Sequence, residues 1–164
     1  MTALRELAPG VWLTELDLDD FDVRGAVLIG RHRIAVWDTL SHPRDMSRVA
    51  DLAAGRPLSV VYSHADWDHI WGTAALDAAE VIGQAACLER FSDAADVPAT
   101  LLEKRTQQPG SWDDVRLIPP NRTFQSELKI DLGDLTLILN HLPGHTLDGC
   151  VGFVPEMGLL LMGD

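Results

Sequence analysis

The sequence predicts one mixed α/β domain in which strands outnumber helices. The chain has 164 residues, of which 46% are apolar and 23% charged, and these proportions are typical of a single packed globular domain. Short β-rich runs separated by turn residues recur along the chain, whereas few segments carry apolar residues at helical spacing. We therefore expect a single α/β (α+β) domain over residues 1–164, with mixed and largely antiparallel sheets.

The first half of the chain is predicted to open as a meander and then to alternate strand and helix. Apolar residues at helical spacing, beginning with Met46 and Val49, indicate the first helix, and a continuous apolar run after it indicates a buried strand. The predicted elements are strands at 11–16, 25–30 and 34–37, a helix at 43–54, a strand at 57–62 and a helix near 70–76.

The second half is predicted to contain two more helices and to end in antiparallel strands. The turns at Gly133-Asp134 and Met157-Gly158 are too short for crossover connections, which favours antiparallel pairing. The predicted elements are a strand at 81–82, helices at 85–91 and 98–105, a proline-rich loop at 109–121, and strands at 124–130, 135–139, 150–154 and 159–162.

The acidic composition excludes several classes of partner. Lys and Arg number 13 against 25 Asp and Glu, a formal net charge of −12, which argues against nucleic-acid and anionic-membrane binding. No signal peptide or membrane-spanning run is visible, so we expect a cytoplasmic protein. Cys87 and Cys150 are expected to be buried free thiols. The expected partners are a small-molecule substrate and metal ions, and a homo-oligomer stays an open option.

The segment after the strand at 57–62 is rich in groups that bind metals. His64, Asp66, Asp68 and His69 fall within six residues, in a loop at a strand end where side chains can converge. One short loop of this kind can supply two metal positions. The alternative is a solvated polar loop in which Asp68 caps a helix that starts near His69.

Two further strand ends carry metal-binding groups. In the sequence Asn140-His-Leu-Pro-Gly-His-Thr146, the Pro-Gly pair predicts a tight turn that presents His145. The strand at 159–162 runs into Gly163 and Asp164. Three separate strand ends with such groups favour a metal centre over a solvated loop.

These three motifs resemble those of the metallo-β-lactamase superfamily, whose members carry a His-x-His-x-Asp-His loop, a distant Gly-His-Thr and a strand ending in Gly-Asp. The resemblance covers nearly the whole chain and implies an αββα sandwich. It further implies that His64 and His145 bind a first metal, that Asp68 and His69 bind a second, and that Asp164 bridges both. Asp38, at the end of another strand, occupies the place of an acid that lies near the metals in the family.

The departures from the family pattern are informative. Asp66 stands where the family usually has its second His, and an oxygen ligand raises the plausibility of iron or manganese beside zinc. Asp164 stands where several true β-lactamases have Cys, which argues against antibiotic hydrolysis. Family members continue through further strands to a last His, so the domain is expected to be C-terminally incomplete and to lack that ligand.

The resemblance implies a dinuclear metal-dependent hydrolase of the glyoxalase II or lactonase kind. Two divalent ions, expected to be zinc, would activate a bridging water to attack an ester, thioester, lactone or phosphodiester. Asp68 would orient this nucleophile as a catalytic residue. The alternatives are an iron-dependent oxidoreductase of the same superfamily and a non-catalytic truncated metal-binding module. We expect His64→Ala or Asp68→Ala to abolish hydrolysis with little loss of fold, because loop ligands lie outside the core.

Overall fold

The computed structural model describes residues 2–164 as two β-sheets packed face to face, with four α-helices against the outer face of the larger sheet. The larger sheet has seven strands in chain order. Its first four strands pair antiparallel and its last four pair parallel. The strands are β1 (Ala3–Ala8), β2 (Val11–Leu18), β3 (Phe21–Ile29), β4 (Ile34–Trp37), β5 (Leu58–Val61), β6 (Glu80–Gln84) and β7 (Arg122–Phe124).

The smaller sheet has four antiparallel strands in the order β11-β10-β9-β8. Each strand pairs with the next strand along the chain, because the two are joined by a short connection or by the loop that carries His145. The strands are β8 (Glu127–Asp131), β9 (Thr136–His141), β10 (Cys150–Val154) and β11 (Leu159–Leu161).

The four helices connect the strands of the larger sheet. They are α1 (Ser47–Ala53), α2 (Trp67–Ile70), α3 (Ala85–Ser92) and α4 (Val97–Gln107). Short 3₁₀ segments precede α1 at Pro43–Met46 and follow α2 at Trp71–Ala75. Because these helices lie in parallel crossovers, they cover the sheet where its strands are fully buried.

Strand periodicity divides the core into two layers. Val27, Val36 and Val60 face the helices, while the neighbouring residues Leu28 and Val61 face the smaller sheet. Leu137 and Leu139 of β9 complete the layer between the sheets and are fully buried. Each central strand of the larger sheet is therefore apolar on both faces, which anchors the loops at its end.

The predicted mixed α/β class with largely antiparallel pairing is confirmed, and β10 has the predicted bounds. The single strand predicted at 124–130 is wrong: β7 ends at Phe124 and β8 begins at Glu127, in the other sheet. One extended run cannot pair with both sheets, so the chain crosses between them at Gln125 and Ser126. The strand β1 was not predicted. Within residues 2–164, no helix is long and apolar enough to span a membrane.

Candidate metal centre

The candidate ligands collect at one edge of the sandwich because the strands that carry them end there. Strands β4 and β5 are parallel neighbours, so Asp38 after β4 and His64 after β5 emerge side by side. The His145 loop joins β9 to β10, and the backbone N–H of Cys150 donates to the carbonyl of Ser63 at 2.8 Å. The two sheets therefore bring the three predicted motifs together.

The last strand of the smaller sheet, β11, ends close to the loop that carries His64. Trp37 Nε1 donates to the carbonyl of Met162 at 3.2 Å, which fixes the end of β11 against the end of β4. A Cβ atom on Gly163 would lie 2.6 Å from Ser63 Oγ and 3.1 Å from His64 Nδ1. Glycine at this position allows the backbone to pass over the imidazole and deliver Asp164 to the site.

Two groups of side chains have ligand atoms close enough to hold a metal ion. The first is His64, Asp66 and His145, and the second is His64, His69 and Asp164, with all ligand atoms of a group within 4.8 Å of one another. His64 belongs to both groups. The imidazole rings of His64 and His69 lie 4.2 Å apart between centroids.

The separations between these atoms fit a shared metal ion. Asp66 Oδ2 lies 3.5 Å from His64 Nε2 and 3.2 Å from His145 Nε2. Two ligands on one tetrahedral zinc ion, each about 2.0–2.1 Å from the metal, are themselves separated by about 3.3 Å. His69 Nε2 lies 3.2 Å from Asp164 Oδ1, which satisfies the same geometry in the second group.

The protonation pattern of the buried imidazoles is set by Asp38, which is fully buried. Asp38 Oδ2 accepts from His69 Nδ1 at 2.8 Å and from Ser63 Oγ at 2.7 Å, and Ser63 Oγ in turn accepts from His64 Nδ1 at 2.9 Å. Both histidines therefore carry a hydrogen on Nδ1 and direct Nε2 toward the site. Those two Nε2 atoms are buried and have no hydrogen-bond partner among the described residues.

The pKa values of several of these side chains are displaced from their ordinary values. Burial lowers the pKa of His69, but Asp38 and Asp164 outweigh it and raise the pKa to about 11. Burial raises the pKa of Asp66, but the nearby imidazole of His64 and the guanidinium of Arg90 outweigh it and hold the pKa far below its ordinary value. Burial also raises the pKa of Asp68. Two acids and a base in one cleft with displaced pKa values are typical of a functional site.

The structure brings some of the predicted ligands into the two groups and leaves Asp68 outside them. Asp68 Oδ2 lies 3.8 Å from His69 Nε2, and Asp68 is in neither ligand group. Asp164 lies only in the second group, so its bridging of both metals stays a prediction. The capping alternative is wrong, because the residue that precedes α2 is Asp66, without a side-chain capping bond, and Asp68 lies within the helix.

The expectation that loop ligands lie outside the core is also wrong. His64, Asp68 and His69 are all buried, since the helices cover one side of their loop and the smaller sheet covers the other. In contrast, His145 and Asp164 have side chains that are 50% and 52% exposed. Cys87 and Cys150 are buried free thiols, as predicted.

A small cavity adjoins the exposed ligands. It has a volume of about 200 Å³ and is lined by His64, His145 and Asp164, together with apolar side chains that include Leu142 and Met162. The cavity thus combines ligand atoms with apolar surface. Outside it, the ammonium of Lys104 lies 3.5 Å from the centre of the Trp67 ring.

Sequence reasoning missed three residues that support the ligands: Ser63, Arg90 and Asp148. Ser63 lies directly before His64, and a small polar residue beside a ligand was a weak available signal. Arg90 lies on α3 and donates to Asp66 Oδ1 at 2.8 Å. No spacing rule connects a helix residue to a loop 24 positions earlier, so this contact could be found only in the structure.

Comparisons with known proteins concern the family and the fold of the whole chain. The sequence model of the Metallo-beta-lactamase superfamily matches residues 6–164. No curated protein sequence matches the chain. A metallo-beta-lactamase structure from Erythrobacter litoralis is similar over 97% of this chain and 68% of its own, with a TM-score of 0.66 and 21% identity. One from Pontibacter korlensis is similar over 98% and 70%, with a TM-score of 0.72 and 14% identity. A sec-alkyl sulfatase structure is similar over 97% of this chain and 30% of its own, with a TM-score of 0.71 and 16% identity.

Proposed function

The chain belongs to the metallo-beta-lactamase superfamily. We propose that it is a metal-dependent hydrolase that binds two divalent ions, and that these ions are zinc. The observation that carries the proposal is the pair of buried, unpartnered Nε2 atoms of His64 and His69, which face carboxylate oxygens of Asp66 and Asp164. An unpaired buried imidazole nitrogen is costly, and a metal ion satisfies it.

The donor set matches the chemistry of such ions. Three imidazoles and two carboxylates are within reach, a mixture that suits zinc and also accommodates manganese or iron. Bound divalent ions would supply a hydroxide from water near neutral pH and would polarise the substrate oxygen. The protein's own contribution is to fix two imidazole tautomers through Asp38 and Ser63.

Asp68 is proposed to orient the attacking nucleophile. Its carboxylate is buried, lies next to His69 Nε2, and has a raised pKa because burial disfavours its charge. A positioned acceptor of this kind can hold a proton of the nucleophile while the substrate enters from the exposed side. The expected substrates are small esters, thioesters, lactones or phosphodiesters.

A second candidate is an iron-dependent redox protein of the same superfamily. It is favoured by Asp66, since two histidines and one carboxylate form a ligand set that also binds iron. Iron that copurifies with the protein, together with a visible absorption band, would favour this candidate. The expected cytoplasmic location rests on the sequence alone and stays a prediction.

The test combines elemental analysis with a hydrolysis screen on the purified protein. We expect about two zinc ions per chain and hydrolysis of at least one ester class among thioesters, lactones, phosphodiesters and, because one structural neighbour is a sulfatase, sulfate esters. His64→Ala is the matched control, because His64 belongs to both ligand groups. Metal-bound protein with no activity beyond that of the control would overturn the proposal.

A further inference from the structure

Arg90 holds an unusual position between the ligand-bearing loops. Its Nη2 donates to Asp66 Oδ1 at 2.8 Å and to Asp96 Oδ1 at 3.1 Å, its Nε donates to Asp96 Oδ2 at 2.9 Å, and its Nη1 donates to Asp148 Oδ1 at 3.1 Å. One guanidinium thus engages three carboxylates in fixed directions. A lysine ammonium, which lacks the planar fork, could not reproduce this arrangement.

The contact with Asp66 divides the roles of its two oxygens. Oδ1 is taken by Arg90, whereas Oδ2 faces the Nε2 atoms of His64 and His145. A free carboxylate can bind a metal through one or both oxygens, and the Arg90 contact leaves only Oδ2 available. The same contact draws negative charge away from the ligand oxygen.

The contact with Asp148 reaches the other ligand loop. Asp148 is fully buried and lies three residues after His145. Its Oδ2 accepts from the backbone N–H of Ala65 at 2.8 Å, while its Oδ1 accepts from Arg90. Arg90 and Asp148 therefore join the loop that carries His64 and Asp66 to the loop that carries His145.

From this arrangement we infer that Arg90 is a positioning residue that makes Asp66 a one-oxygen, charge-compensated ligand and so favours zinc over harder ions at the group of His64, Asp66 and His145. The inference rests on the metal binding in the proposed function, but not on hydrolysis. Without Arg90, Asp66 could turn both oxygens toward the metal with its full charge, and such a ligand suits manganese better than zinc.

The test compares zinc and manganese affinities, measured by competition with chelators, in the unchanged protein and in Arg90→Met. Outer partners of metal ligands typically contribute about 10–100-fold to metal affinity. We expect zinc binding to weaken by about this factor and manganese binding to weaken less, so that the ratio of the two affinities falls. A general loss of structure would lower both affinities alike.

Asp96→Asn is the matched control, because it removes a partner of the same guanidinium while leaving the contacts with Asp66 and Asp148 in place. It should keep the zinc-to-manganese ratio of the unchanged protein. If Arg90→Met does not fold, Arg90→Lys supplies the same comparison, since lysine keeps the charge but cannot hold Asp66 and Asp148 together.

Folded Arg90→Met or Arg90→Lys protein with an unchanged affinity ratio would overturn the inference, and so would Asp96→Asn with the same fall as Arg90→Met. Zinc-bound protein that hydrolyses nothing would overturn the hydrolase proposal and leave the inference standing. An unchanged protein that binds neither zinc nor manganese would overturn both.

Discussion

The two sides of the candidate metal centre differ in how firmly the fold holds them. On one side, His64 and His69 follow a central strand, are buried, and are tied to Asp38 by direct or serine-mediated hydrogen bonds. On the other side, His145 and Asp164 come from the smaller sheet and are about half exposed. We call these the buried side and the exposed side.

The difference follows from the supports beneath each side. The buried side lies where the parallel strands β4 and β5 end, between two apolar layers, so its geometry is set before any ligand binds. The exposed side depends on a turn and on the end of a short strand. From this difference we expect the buried side to contribute most of the metal affinity. We expect the substrate to enter from the exposed side.

The largest effect is expected from His64→Ala on the buried side. Because His64 belongs to both ligand groups, this change should abolish binding of both ions, a greater loss than the ~10–100-fold typical of outer partners. It also removes a buried hydrogen bond to Ser63 Oγ, so the free energy of unfolding should fall by about 0.5–1.5 kcal/mol. Zinc titration and urea unfolding measure the two effects, and two ions still bound would contradict the comparison.

His145→Ala tests the exposed side and should have a smaller effect. Only the group of His64, Asp66 and His145 contains this residue, so one of the two ions should be lost and the other kept. The stability of the metal-free protein should change by no more than about 0.5 kcal/mol, because the side chain is half exposed. Elemental analysis after dialysis gives the number of ions, and loss of both would remove the distinction between the sides.

Asp38→Asn tests the hydrogen bonds that prepare the buried side. The amide nitrogen of asparagine cannot accept at the position of Oδ2, so the Nδ1 hydrogen of His69 would lose its acceptor. The hydroxyl of Ser63 would lose the acceptor that orients it toward His64 Nδ1. We expect zinc affinity to fall by about 10–100-fold while the fold is kept. Chelator competition measures the affinity, and circular dichroism checks the fold. An unchanged affinity would show that Asp38 does not set the imidazole tautomers.

Metal binding should release a proton from the buried side. Without a metal, the pKa of His69 is raised to about 11, so His69 is protonated at pH 8, whereas a metal requires neutral Nε2. Calorimetry at pH 8 in two buffers of different ionisation enthalpy should therefore detect proton release on zinc binding. His69→Gln is the control and should release fewer protons.

The same raised pKa has a consequence for the metal-free fold. The stabilisation from charged His69 is complete below its unfolded pKa of 6.5 and is lost as the pH rises through about 11. Metal-free protein should thus lose stability between neutral and alkaline pH. Unfolding curves at pH 7 and pH 10 measure the change, which His69→Gln should reduce.

The smallest expected effect is a difference between the alkylation rates of the two cysteines, which reports local opening of the smaller sheet. Burial raises the pKa of both thiols, so few thiolates exist at pH 8 and alkylation of the native protein should be slow. Cys150 begins β10 on the exposed side, whereas Cys87 lies on α3. If the smaller sheet opens locally, Cys150 should be labelled before Cys87, and mass spectrometry after brief alkylation distinguishes them. Equal rates would indicate that the smaller sheet and α3 open together.

Much of the fold could be predicted because strand periodicity and turn residues are local signals. The bounds of β4 and β10 match their predicted ranges, and both helices in the middle of the chain were found. The break between β7 and β8 could not be predicted, since the run from Phe124 to Ile130 reads as one strand until two sheets compete for it. The edge strand β1 was missed because its residues are mostly exposed and lack apolar alternation.

The sequence by itself determined the ligand candidates and the family, because histidines and aspartates at fixed spacing after predicted strands are visible without coordinates. Tertiary structure alone decided which of them come together, since Asp66 and His145 are 79 positions apart and meet only when the sheets pack. It also decided the contacts of Arg90, whose partners lie on three separate segments. Spacing fixes what one loop can offer, whereas the packing of distant strands fixes how close those groups come and what charge surrounds them.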